Sequence, residues 1–221
     1  MKKTDFLPGT PLHLKQRDDM FHFNRDTVAL ASFVNVRKHD RILDVGTNNG
    51  VLLLASLLKG GKEGVGIDIF DAVIEIAKEN ASANNITNAR FIVCPLEFYT
   101  DKPFDLIICN PPYFKHSTID STLNPFLDAA HYENALPLEM LAKHAFRLLH
   151  EKGRLCIVHR AHRITEIIRI LSQEKFALKR IRYIHHDIDK PAVGVLIEAM
   201  KNGVETCIVE APLIISKGVS A

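Results

Sequence analysis

No run of 18 apolar residues occurs anywhere in this sequence, and the opening Met1-Lys2-Lys3-Thr4-Asp5 is followed by no apolar stretch of signal-peptide type. Neither a membrane-spanning helix nor an exported chain is expected, so the expected location is the cytoplasm. Cysteine is sparse: Cys94, Cys109, Cys156 and Cys207 stand far apart, each in or beside a β-branched apolar run. They read as small core residues of a reduced protein. Zinc-ligand spacing is missing as well, since His159 and His162 have no further Cys or carboxylate nearby to complete a site, and no metal is expected. Repeats and low-complexity tracts are absent. Net charge is nearly absent too, with 28 Lys+Arg against 26 Asp+Glu leaving +2. A balance of that kind says nothing about partners until it is divided along the chain.

What is present is 47% hydrophobic residues in 221, enough to bury a full core, and the length favours one domain over the whole chain, 1–221. The sequence leaves the oligomeric state open, with a monomer slightly favoured. The charge proves unevenly spread. Residues 141–190 carry twelve Lys/Arg against five Asp/Glu, a surplus of seven, and the remainder is acidic by five. Residues 1–22, with Pro8, Gly9 and Pro11, read as an irregular N-terminal arm. Asp26-Thr27 then offers a cap for a helix to about Val36. Beyond it, strands at Ile42–Gly46, Val65–Ile69, Arg90–Cys94, Phe104–Cys109 and Arg154–Val158 alternate with helical patterns. Those helices run over Val51–Leu58, Asp71–Asn84, Pro137–His150 and His162–Gln173. Such alternation predicts an α/β fold, a parallel sheet with helices on both faces. The C-terminal part, Ala177–His186, Ala192–Met200 and Thr206–Ile215, is β-rich, with a hairpin signal at Lys201-Asn202-Gly203. The sheet is therefore expected to finish in antiparallel strands.

Two constellations carry chemistry. Asn110-Pro111-Pro112-Tyr113 directly follows the apolar run Phe104–Cys109. The Asn amide oxygen and the carbonyl of a proline that has lost its N–H, stiffened by paired rings, form a claw for a planar NH2 group. Tyr113 can lay its ring on the base bearing that amine, a contact worth about 1–3 kcal/mol. The other constellation, Asp44-Val45-Gly46-Thr47-Asn48-Asn49-Gly50, sits between a strand and an apolar helix, and Asp68 ends the next strand 24 positions after Asp44. In doubly wound sheets such a loop lets backbone approach a nucleoside, and the acidic residue takes the ribose hydroxyls. Asp44 stands where a pyrophosphate would want no acid, which disfavours a nicotinamide dinucleotide and favours a cationic ligand.

Together, in this order, these motifs resemble a class I S-adenosylmethionine-dependent methyltransferase of the amino-methylating kind. Phe21-His22-Phe23-Asn24-Arg25-Asp26-Thr27, Asn110 to Lys115, Ala130-His131-Tyr132-Glu133 and Pro212-Leu213-Ile214-Ile215 resemble more closely the family that methylates adenine N6 of a valine tRNA beside its anticodon. That resemblance spans residues 18 to 217. It implies a doubly wound, Rossmann-like seven-stranded sheet, mostly parallel. Two departures stand out: Asn48 replaces a usual Gly, and Cys94-Pro95 replaces a usual Asp. Asn tolerates the left-handed region better than other non-Gly residues. The second departure leaves backbone groups near Leu96 to contact the cofactor adenine.

The resemblance supplies S-adenosylmethionine as cofactor, with Asp44, Gly46, Thr47, Asn48, Gly50, Asp68, Ile69, Leu96 and Asn110 as its expected contacts. Asn110, Pro111, Pro112 and Tyr113 are the expected catalytic residues; orienting the amine while charge grows on it needs no dedicated base. The expected partner is tRNA, held by Tyr113, Phe114, Lys115, Arg160 and Arg163, with Arg154, His159, His162, Arg169, Lys179, Arg180 and Arg182 adding to the basic stretch. Competing readings keep the chemistry on a protein glutamine or on DNA, or drop it for a non-catalytic nucleic-acid-binding protein on the same fold.

Overall fold

Strands that are apolar at nearly every position need cover on both faces, and the order of elements provides it. The computed structural model describes residues 2–18, 22–113 and 136–215. Within them β3 (Arg41–Val45), β4 (Glu63–Asp68), β5 (Ala89–Val93), β6 (Phe104–Cys109) and β7 (Leu149–Arg160) lie parallel in the spatial order β5-β4-β3-β6-β7. Next to β7 lies β9 (Gly194–Lys201), antiparallel to it, and then β8 (Phe176–His185), antiparallel to β9. The short strands β10 (Ile208–Val209) and β11 (Leu213–Ile214) pair parallel to the outer edge of β8. The sheet thus has the expected core of seven long strands.

Its antiparallel finish is narrower than the sequence suggests, because among the described residues β9 alone runs against its neighbours in this sheet. The Lys201–Gly203 turn likewise does not join a hairpin pair. Both edges of β9 are already taken by β7 and β8, so the chain crosses β8 and pairs on its far side.

Along β6, Leu106 and Ile108 face one core layer while Ile107 and Cys109 face the other. The first layer is closed by α1 (Arg25–Phe33), α2 (Val51–Leu58) and α3 (Asp71–Ala83), the second by α4 (Leu138–Leu148) and α5 (Ile164–Gln173). Residues 51–57 of α2 are all buried, which explains a helix with no charged residue. Its one hydroxyl, Ser56, donates back to the Leu52 carbonyl at 2.8 Å. A Cβ at Gly64 would come 2.3 Å from Leu53, so the glycine lets α2 sit directly on β4.

The expected irregular arm is instead a hairpin, β1 (Lys2–Phe6) and β2 (His13–Arg17), turning through Pro8-Gly9-Thr10. Leu7, Leu12 and Leu14 are fully buried beneath it. The outer edge of β2 is paired by side chains. Asn80 of α3 accepts from Lys15 N (2.8 Å) and donates to its carbonyl (3.2 Å), and Asn84 does the same for His13 (3.0 and 2.8 Å). Spaced i, i+4, the two amides stand on one helix face and act as a surrogate strand. Polar composition around Pro8 and Pro11 concealed this, since the pairing partner lies 65 or more residues away.

Strand order reverses beside β3, whose neighbours β4 and β6 continue the chain in opposite directions across the sheet. Open α/β sheets bind ligands outside the carboxyl ends of the strands at that point.

Candidate active site

The loop after β3 is shaped by one buried carboxyl. Asp44 accepts from the Thr47 hydroxyl (2.7 Å) and from the Leu53 amide in the first turn of α2 (3.2 Å), tying turn and helix together. Gly46 (φ 66°), Asn48 (φ 49°) and Gly50 (φ 83°) all take left-handed backbone, so Asn48 does adopt the conformation a glycine would serve. Gly50 is the N-cap of α2, and a Cβ there would press on the Phe91 ring at 3.1 Å. Burial, reinforced by nearby Asp68, pushes the Asp44 carboxyl up to about 7.

Asp68 ends β4 and faces the same space. One of its oxygens accepts from Asn48 N (3.0 Å) and the other from Phe70 N (3.2 Å). Burial raises its pKa, while those backbone donors oppose the rise. Ile69 follows it on the rim, and Pro95 and Leu96 contribute the loop after β5.

The turn after β6 completes the site. Asn110 donates its amide N–H to the Thr27 hydroxyl at 3.1 Å and accepts from the Tyr113 phenol at its Oδ1. Tyr113 therefore caps the oxygen expected to hold an incoming amine. Its ring packs edge-on to His159 at 5.1 Å between centroids, with the Arg160 guanidinium 4.7 Å above it. Arg160 also pairs with Asp26 at 3.6 Å. Burial raises the Asp26 carboxyl, and Arg160 holds the rise in check.

Several expected contacts stand elsewhere. Asp44 and Gly50 do not line the cavity; they build the loop that does. Arg163, expected on RNA phosphate, is only 8% exposed, where it bonds Glu166 (2.8 Å) and the Tyr113 carbonyl (3.3 Å). Arg154 is buried against Asp40, and Arg180 bonds Glu198 (2.8 Å) and Glu210 (2.7 Å). His159 is buried as well, its Nδ1 accepting from Arg160 N at 2.8 Å, and burial beside Arg163 lowers its pKa to about 3. It stays neutral and supplies no phosphate contact. Arg154, Arg163 and Arg180 are thus held by internal ion pairs. Phe21, Phe114, Lys115 and the Ala130–Glu133 segment lie outside the described residues.

Three site residues escaped sequence reasoning. Asn24, the N-cap of α1, and Thr27 in its first turn line the cavity; their only signal was the resemblance of the Phe21–Thr27 segment. Asn49 lines it from the loop and had no signal beyond its place between Asn48 and Gly50.

The cavity holds about 1350 Å³ of unfilled space, its open mouth included. Of the four buried side-chain polar atoms without a hydrogen-bond partner among the described residues, two, Asp44 Oδ1 and Asn49 Nδ2, belong to the loop after β3, and the others are His159 Nε2 and His186 Nδ1. Behind the loop, the buried Asp44 carboxyl can favour a cationic ligand through its charge, and Asp68, which does line the cavity, suits vicinal hydroxyls. A methyltransferase-domain family model matches residues 36–205. The chain belongs to the methyltransferase-domain family. S-adenosylmethionine is accordingly its methyl donor, and the donor set just described fits it.

Among relatives of this methyltransferase, a protein of Methanocaldococcus jannaschii named as an N5-glutamine methyltransferase is 36% identical over 117 residues, 51% of this chain and 58% of that one. The tRNA1(Val) (adenine(37)-N6)-methyltransferase of Aliivibrio fischeri is 26% identical over 176 residues, 78% of this chain and 74% of that one. The crystal structure of a predicted O-methyltransferase from Agrobacterium tumefaciens superposes with TM-score 0.67 at 21% identity, covering 89% of this chain and 90% of that one, and shares the fold. No helix among the described residues is long and apolar enough to cross a membrane. Nor does any group of three or more His, Cys, Asp or Glu among them gather in a way that could hold a metal.

Proposed function

We propose that this methyltransferase methylates the exocyclic N6 amine of an adenine in tRNA, with the position beside the anticodon of a valine tRNA as the favoured target. The observation that carries the reading is the meeting of Asn110 and Asp68 on one cavity. When bound, S-adenosylmethionine supplies an electrophilic methyl group. Asn49 and its neighbours in the loop that Asp44 ties together would hold its amino-acid end, Asp68 its ribose hydroxyls, and Leu96 the neighbourhood of its adenine. The protein's own work on the acceptor is positional. The Asn110 oxygen accepts an amine proton and leaves the nitrogen lone pair aimed into the cavity, and that hydrogen bond strengthens as positive charge develops on nitrogen. The Tyr113 phenol gives way to the amine and its ring offers a face to the base.

Adenine in tRNA is favoured over glutamine because similarity to the tRNA adenine-N6 relative extends over most of both chains. Glutamine remains the second reading, favoured by the higher identity to the N5-glutamine relative over a shorter span. Arg160, at the mouth beside Tyr113, is the basic residue best placed to meet a phosphate. Phe114 and Lys115 are the further acceptor contacts that this reading proposes. The deciding experiment incubates the protein with methyl-labelled cofactor and, separately, tRNA lacking the modification and a release factor with an unmodified glutamine. N6-methyladenine after nucleoside digestion is expected; label on protein glutamine would replace the substrate assignment.

A further inference from the structure

We propose that Thr27 is a positioning residue that fixes which end of the Asn110 amide faces the cavity. The inference rests on reading Asn110 as the group that receives the acceptor amine. It starts from backbone at the beginning of α1. The Asn24 side chain takes hydrogen bonds from the amides of Asp26 (3.0 Å) and Thr27 (3.1 Å). Only a carbonyl oxygen can accept both, so the orientation of the Asn24 amide is set by the helix start itself. That oxygen also stands 3.3 Å from the Thr27 hydroxyl. Since a carboxamide oxygen cannot donate, the Thr27 proton is committed to it.

The remaining lone pairs of Thr27 Oγ1 then face two donors. One is Asn24 N at 3.4 Å; the other is Asn110 Nδ2 at 3.1 Å, 83 residues away in sequence. With no proton left for Asn110, Thr27 can hold only its NH2 end. The oxygen must point the other way, and it does, accepting from the Tyr113 phenol. A flipped Asn110 would set its oxygen against lone pairs and offer N–H groups to an amine that needs an acceptor. Three side chains thus transmit the polarity of a helix N-terminus to the group that binds the substrate. Thr27 is 3% exposed, so water does not substitute for it.

The test reads the Asn110 side-chain NH2 pair by nuclear magnetic resonance of ¹⁵N-labelled protein, identified by its loss in Asn110→Asp. Thr27→Val removes the hydroxyl at nearly constant shape, Thr27→Ser keeps it, and Asn24→Gly frees its proton at little expense to the cap. The pair should shift in Thr27→Val and Asn24→Gly and stay in place in Thr27→Ser. Single-turnover methyl transfer should fall about tenfold or more in Thr27→Val. Thr27→Ser should restore most of that rate, and S-adenosylhomocysteine affinity should hold within about twofold throughout. An unmoved resonance in Thr27→Val, or Thr27→Ser as slow as Thr27→Val, overturns the proposal. If Thr27→Val does not fold, the opposite responses of Asn24→Gly and Thr27→Ser decide it. Wild-type protein that methylates no tRNA would sink the substrate reading while leaving the resonance experiment intact.

Discussion

A carboxyl group sealed from water keeps its proton until something positive comes near, and Asp44 stands in that condition. With its pKa raised to about 7, the folded ligand-free chain resists an ionisation that the unfolded chain completes in the ordinary carboxylate range. Any stability due to this group is therefore full at acid pH and is lost as the pH climbs toward 7. Binding an ammonium or sulfonium ligand favours the charged form and expels the proton. Affinity for S-adenosylmethionine should accordingly rise with pH up to about 7 and flatten above it. Calorimetry in two buffers of different ionisation enthalpy measures the released proton directly; none near neutrality would refute the assignment, and Asp44→Asn should abolish it. Tyr113 supports a second prediction. Because its phenol competes for the Asn110 oxygen, Tyr113→Phe should leave kcat within about threefold and lower the acceptor KM, whereas Tyr113→Ala should raise that KM through lost stacking. A raised KM in the phenylalanine variant would show that the phenol holds substrate instead of competing with it. Asp68 and Asn110 were legible in the sequence because each ends an apolar strand, and strand ends in this fold face the ligand. Thr27 and Asn49 were not, since their value comes from contacts that local pattern does not encode.

At the scale of elements, the parallel core was readable wherever an apolar run was long and bounded. What escaped was the edge. β2 is stabilised by side-chain amides on α3, and β10 reaches β8 by skipping a strand; neither pairing leaves a periodic trace. Within the basic stretch, Arg154, His159, Arg163 and Arg180 differ from expectation for a related reason, since charge counted along a strand says nothing about which side chains turn inward. Arg154, 2% exposed, donates to Asp40 and to the Asn35 carbonyl, joining β7 to the loop after α1. Asp40 in turn accepts from Arg37 N at 2.7 Å, so it cannot simply turn to solvent. Removing one partner of such a pair strands the other. Arg154→Met should cost about 3–5 kcal/mol of unfolding free energy in urea titration. Replacing both, Arg154→Met with Asp40→Asn, should recover part of the loss. A single variant within about 1 kcal/mol of wild type would show that solvent reaches the site.

Over the whole molecule, ligand site and N-terminal hairpin are joined at Asn80. The amide that pairs β2 also donates to the Asn49 carbonyl at 2.9 Å, so one buried side chain touches both the hairpin and the loop that receives the cofactor. Two regions sharing a fastener do not fluctuate independently: when the hairpin lifts, Asn80 loses the bonds to Lys15 that help orient its amide toward the loop, and whatever holds the loop steadies Asn80 against the hairpin. Thermodynamic reciprocity makes this a measurable coupling. Saturation with S-adenosylhomocysteine should slow amide hydrogen exchange at Lys15, although that residue is not among those lining the cavity. The same ligand should leave the Lys15 exchange rate unaffected in Asn80→Ala, and equal slowing in both proteins would disprove the connection. A segment that composition marked as an arm would thereby act as a reporter of occupancy, its opening rate set by a small molecule bound on the far side of a single asparagine.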